Sequence, residues 1–177
     1  NLKKDDIEFR DQYLQKCLAK VEEITYLSNK MFEYSLVFST EYNSDLTNIP
    51  VQRVMDTLMD HIQYLREMDL HILYEPLQTS LSMDANFAMI QRILNNVFSN
   101  IQKYCDPWKD IVIQTTIEED QLKMSFTNSI NRHLDKVESN GIGLKSVKKM
   151  IELHHGTFYQ DETNDLFTIV FTFPIHQ

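Results

Sequence analysis

Apolar positions recur along residues 5–38 with a heptad-like spacing. Ile7, Leu14 and Val21 lie seven apart, as do Cys17, Ile24, Met31 and Phe38, and Leu18, Leu27 and Tyr34 widen the stripe. No Gly or Pro interrupts it. The pattern predicts one long amphipathic helix with a seam for another helix. No segment of matching length follows, so its partner is expected to be a second copy or a stretch outside this chain.

The composition then turns polar. STEYNSDLTNIP reads as a linker. Asn48-Ile49-Pro50 opens a second helix, whose inner face is marked by Val51, Val54, Leu58, His61, Ile62 and Leu65. LHILYEP and TSLSM read as short strands. Met83-Asp84 leads into a third helix, NFAMIQRILNNVFSNIQKY, and CDPW is a turn. IVIQTTI and QLKMSFTN are strands around the turn Glu118-Glu119-Asp120, and residues 129–140 are polar and irregular. A fourth helix follows Gly143 and stops at Gly156, taken as its left-handed C-cap. GTFYQ and LFTIVFTFP are the last strands. From residue 50 the order is α-β-β three times. It predicts an α+β fold, a two-layer α/β sandwich with a mixed sheet and three helices on one face, preceded by the long helix. The expected divisions are 1–40 (long helix), 41–49 (linker) and 50–177 (sandwich domain).

Composition narrows the function. A formal charge of −9 with no basic stripe argues against a nucleic-acid groove and against general attraction to anionic lipid. A polyphosphate could bind only where local donors overcome that field. Cys17 and Cys105 read as free thiols of a reducing compartment. No run of 18 apolar residues exists. The opening NLKKDDIEF is not a signal peptide and reads like a cut from something longer.

Two stretches carry candidate chemistry. In the third helix Asn96, Asn100 and Lys103 form a polar stripe, with Tyr104 four beyond Asn100. Asparagine inside a helix costs up to ~0.7 kcal/mol relative to alanine. Its amide offers an oxygen to a hard cation and a donor to a phosphate, although a solvated polar face explains the stripe equally well. The second stretch, SNGIGLKSVKKMIELHHGTF, holds all three glycines of the chain. Gly141 and Gly143 allow a ligand close to the backbone, immediately before a helix N-terminus suited to an anion. An ordinary loop-to-helix junction is the commoner meaning of such a pair, but the asparagine stripe adds weight to a phosphate site.

RILNNVFSNIQKY followed by NGIGLKSVKKMIELHHG resembles the ATP-binding domain of sensor histidine kinases, within the superfamily shared with gyrase, a heat-shock chaperone and a mismatch-repair protein. The resemblance covers about residues 50–177. The helix at 5–38 looks like the second helix of the dimerisation hairpin that precedes this domain. The resemblance implies ATP and Mg²⁺ as ligands. Asn100 would coordinate the metal with Asn96 beside it, Lys103 would contact phosphate, and Tyr104 would flank the nucleotide. Gly141 and Gly143 would wrap the phosphates and Leu144 would begin the capping helix. Thr168 would hold adenine through water. Residues 129–140 would form a lid in which Arg132 and Lys136 are candidate phosphate partners, a solvated loop charge being the plainer reading of each.

One motif departs from the family. Where Asp-x-Gly-x-Gly is usual, Asn128 stands at the Asp position and no glycine follows, which implies weaker ATP binding and a stiffer hinge. Asn96 stands where hydrolytic members of the superfamily carry a Glu, which favours transfer to a histidine over hydrolysis. None of the six histidines has the acceptor context, so the acceptor is expected upstream of Asn1. The implied protein is the cytoplasmic part of a membrane-anchored sensor. It would be homodimeric through the hairpin, with a response regulator as partner. The competing reading is a nucleotide-silent pseudokinase acting as a dimerising interaction module.

Overall fold

The computed structural model describes residues 2–38, 45–131 and 142–177. It divides into two units, Asn1–Thr40 and Glu41–Gln177. The first holds helix α1, Leu2–Phe38. Leu14, Leu18, Val21, Ile24, Leu27 and Met31 each leave more than half of their surface exposed. The heptad seam is therefore apolar and uncovered along the described side chains.

The second unit runs β1 (Thr47–Pro50), α2 (Val51–Glu67), β2 (Ile72–Leu73), β3 (Ser82–Ala85), α3 (Phe87–Tyr104), β4 (Ile111–Glu118), β5 (Gln121–Ser129), α4 (Ile142–Leu153), β6 (Phe158–Thr163) and β7 (Leu166–Pro174). Five strands form one sheet in the order β2-β4-β5-β7-β6, with β2 parallel to β4 and the other pairs antiparallel. β1 and β3 form a separate antiparallel pair. Strand β1 falls within the expected linker 41–49 and runs into Pro50, so part of that linker is sheet. The polar residues of TNIP hid it, since only Ile49 of the four is buried.

Side-chain alternation decides which face of the sheet is covered. Leu122, Met124, Phe126 and Asn128 of β5 are buried, as are Ile169, Phe171 and Phe173 of β7. Phe126 meets Phe98 of α3 edge-on at 5.8 Å and stacks on Phe171 at 5.5 Å. The helices bury the stripes expected of them: Val51, Val54, Leu58, Ile62 and Leu65 in α2, and Ile90, Ile93, Leu94, Val97 and Ile101 in α3. His61, read as an inner position, is only half-buried and stacks on Phe98 at 4.7 Å. The architecture is the expected two-layer α+β sandwich.

Glycine scarcity shapes the turns. Glu119-Asp120 between β4 and β5, and Asn164-Asp165 between β6 and β7, all take positive φ. Two-residue hairpins need that backbone, and glycine or asparagine adopts it with least strain. At the end of α4 the left-handed residue is His155, with φ 59°, and not Gly156 as the sequence suggested. Gly156 is required for another reason: a Cβ there would lie 2.1 Å from the Thr172 carbonyl oxygen.

Candidate functional site

Helix α3 is positioned from both ends. At its start Asn86 caps it, its Oδ1 accepting the Met89 N–H at 3.2 Å. The Asn86 backbone N–H donates to His154 Nε2 at 3.0 Å, and His154 Nδ1 donates to the Met150 carbonyl at 2.6 Å. His154 is 1% exposed and thereby ties the start of α3 to the end of α4. Burial pushes its pKa below the ordinary histidine value. At the other end, the Asp106 N–H donates to Ser129 O at 2.8 Å and the Asn131 N–H to Tyr104 O at 2.9 Å. Cys105 and Ile130 form a β-bridge. The C-terminus of α3 is thus clasped to the end of β5.

Between these ties lie the polar positions of α3. Asn96, Asn100 and Tyr104 are half-buried, while Lys103 is exposed with its Nζ 5.1 Å from the centre of the Tyr104 ring. Asn96 Nδ2 donates to Arg92 O at 2.9 Å. A Cβ on Gly143 would meet Asn96 Oδ1 at 3.1 Å. The first turn of α4 therefore abuts the asparagine stripe, and the two motifs read separately in the sequence converge. That turn carries no acidic side chain. Its N–H groups lack intrahelical partners by the geometry of any helix start and favour negative charge.

Asn128 is 2% exposed on the helix-covered face of β5, and its Nδ2 donates to Ser129 O at 3.1 Å. The clasp to α3 brings Asn128 to the Tyr104 end of the stripe. From Asn96 to Tyr104 the helix rises about 12 Å, so Gly143 and Asn128 lie toward opposite ends of the stripe. Leu144 is half-exposed in the first turn of α4, where it lines a cleft of about 450 Å³ with Lys145, Lys148, Phe158, Tyr159 and Gln160.

Thr168 does not join this group. It pairs with Thr127, Oγ1 to Oγ1 at 3.1 Å, on the sheet face opposite the helices. Strand parity is the reason: Ile169, Phe171 and Phe173 point inward, so 168 points outward. Phe167, the register partner of Asn128, shares the inner face instead; counting back by twos from Phe173 would have found it. The expected lid began at 129, but Ser129 completes β5 and Ile130 belongs to the bridge. Residues 132–140 of that lid, Arg132 and Lys136 among them, and Gly141 lie outside the described residues. Among the described residues no cluster of three or more His, Cys, Asp or Glu could hold a metal. A metal here would rest on the Asn100 amide oxygen and on ligand phosphates, a donor set that suits a hard, mostly hydrated cation such as Mg²⁺. No described helix is long and apolar enough to cross a membrane.

No protein-family model matches the chain. It is 29% identical over 167 residues to the sensor histidine kinase YrkQ of Bacillus subtilis (strain 168), covering 93% of this chain and 38% of that protein. To the heme sensor protein HssS of Staphylococcus aureus (strain Newman) it is 22% identical over 178 residues, covering 92% of this chain and 39% of that protein. The chain thus spans about two fifths of the length of these curated relatives. Among solved structures, the Acinetobacter baumannii histidine kinase AdeS aligns with a TM-score of 0.68 at 15% identity, over 93% of this chain and 84% of that one. The catalytic domain of histidine kinase ThkA aligns with a TM-score of 0.59 at 17% identity, over 74% and 96%. The fold is that of histidine kinase catalytic domains, and the sequence relatives include a sensor histidine kinase and a heme sensor protein.

Proposed function

We propose that residues 50–177 are the ATP-binding catalytic domain of a sensor histidine kinase. The domain passes the γ-phosphoryl group of ATP to a histidine outside this chain, for relay to a response regulator. The observation that carries this reading is the approach of Gly143 to Asn96, which joins the two motifs at one surface.

Asn100 offers its amide oxygen to Mg²⁺, and the bound metal would neutralise charge on the phosphates. Lys103 and the first-turn N–H groups of α4 meet phosphate oxygens. Asn128 accepts the adenine amino hydrogen, and Tyr104 flanks the nucleoside. Asn96 has no basicity to activate water, so the site suits transfer over hydrolysis. Phosphoryl transfer asks mainly for positioning and charge neutralisation, with little covalent work by the protein. The uncovered apolar seam of α1 supports a homodimer formed through a helical hairpin in the whole protein.

Melting the chain with and without Mg²⁺-ADP tests the nucleotide reading. A ligand present at 100 times its dissociation constant stabilises the fold by about 2.7 kcal/mol. An upward shift is expected. An unchanged melting temperature at millimolar nucleotide would leave a nucleotide-silent interaction module.

A further inference from the structure

Glycine inside a helix is destabilising relative to alanine, so a helical glycine calls for a reason. Gly143 lies in the first turn of α4 and does not need the left-handed backbone that only glycine adopts freely. Its reason is the distance to α3. A Cβ at 143 would sit 3.1 Å from Asn96 Oδ1, closer than carbon and oxygen ordinarily settle. Nor is Asn96 free to swing away. Its Nδ2 is held by the Arg92 carbonyl at 2.9 Å one turn earlier, which leaves Oδ1 turned toward α4.

We infer that Asn96 is a positioning residue that acts through Gly143. Its backbone-anchored amide sets how closely the first turn of α4 seats on α3, and so where the α4 N–H groups stand relative to Asn100. Asn96 is then neither a metal ligand nor a water-activating group. The geometry explains asparagine here. Its short amide reaches its own helix with the nitrogen and the neighbouring helix with the oxygen. Aspartate would lack the nitrogen donor, and glutamate would be too long to keep both contacts in one turn. The consequence for nucleotide binding rests on the nucleotide reading above.

The test is a double-mutant cycle on the whole chain with Gly143→Ala, Asn96→Ala and the pair, read by thermal melting and by calorimetric titration with ADP. Residues in contact couple, so Gly143→Ala is expected to weaken Mg²⁺-ADP binding roughly tenfold. In the double variant that loss should vanish, because the oxygen facing the new methyl group is gone. Asn96→Ala alone should weaken ADP by the same factor with Mg²⁺ and with EDTA, and leave adenosine within about twofold of wild type, the α4 turn serving phosphate and not base. Multiplying losses in the double variant would overturn the inference. So would a defect confined to the Mg²⁺ arm, the mark of a metal ligand, or an equal loss for adenosine, the mark of a general packing defect. If Gly143→Ala fails to fold, the pair must fold; an unfolded pair also refutes it. Should wild type bind no ADP, the proposed function falls, while the melting temperatures of the four proteins still decide whether Asn96 and Gly143 are coupled.

Discussion

Two neighbouring residues at the end of α4 should respond to substitution with opposite signs. Gly156 packs its Cα against β7, where an added Cβ would lie 2.1 Å from Thr172 O and 2.9 Å from Ile151 Cγ2. The first contact is with backbone, which no rotamer change can relieve. Gly156→Ala must therefore push the α4–β6 connection away from β7. That movement strains the Gly156 N–H to Ile151 O and Thr172 N–H to Thr157 O bonds, both 3.0 Å. Overpacking costs typically 1–3 kcal/mol, and each weakened hydrogen bond about 1 kcal/mol more. A loss of about 3–5 kcal/mol is expected, a large share of the 5–15 kcal/mol that holds a typical domain. His155, one residue earlier, holds φ 59° with a β-carbon. His155→Gly removes that strain and should stabilise by about 0.5–1 kcal/mol. Urea unfolding of the two variants, with midpoints compared at constant m, measures both. The reasoning is refuted if Gly156→Ala costs under about 0.5 kcal/mol, or if His155→Gly destabilises by as much as Gly156→Ala.

Ser146 is fully buried and its Oγ has no hydrogen-bond partner among the described residues; Ser146→Ala should raise stability by about 1 kcal/mol, or about 3–5 °C in melting temperature, and a fall would show that the hydroxyl is satisfied. Burial holds His61 and His154 neutral in the folded state, below their unfolded pKa. Their stabilising contribution is complete above about pH 6.5 and declines as pH falls toward the folded values, because the unfolded chain then binds more protons. Urea midpoints from pH 7.5 to 5.5 should drop, less steeply in His154→Gln; a flat profile in wild type contradicts this. Asn128→Asp restores a charged acceptor and should tighten Mg²⁺-ADP binding several-fold in titration, whereas unchanged affinity would place the base elsewhere.

Legibility in the sequence followed burial. The helical stripes of α2 and α3 and the strands β4, β5 and β7 carry apolar periodicity, and each could be read because each buries one face, whereas β6 is exposed beyond Phe158. β1 was not readable: it pairs with β3 in a second, two-stranded sheet, and of its own residues it buries only Ile49. The site divided in the same way. Asn96 and Gly143 belong to helices whose facing stripes imply a shared layer, so their meeting followed from local signals. Thr168 lies on the other face of the sheet because a strand shows its side chains alternately, and which parity faces the helices depends on pairing with β5, a long-range fact. The end of α4 misled for a different reason. A glycine after a helix usually signals a left-handed cap, but this chain gives that backbone to His155, as it does to Glu119, Asp120, Asn164 and Asp165 elsewhere.

Calorimetric titration of Mg²⁺-ADP into wild type and Asn100→Ala reaches the convergence of the α3 stripe and the α4 turn most directly. Saturable one-to-one binding, weaker than submicromolar in wild type and abolished or weakened at least tenfold in Asn100→Ala, is the expected outcome, a tenfold change being about 1.4 kcal/mol. Equal affinity in the two proteins, or no binding heat in either at millimolar nucleotide, would contradict it.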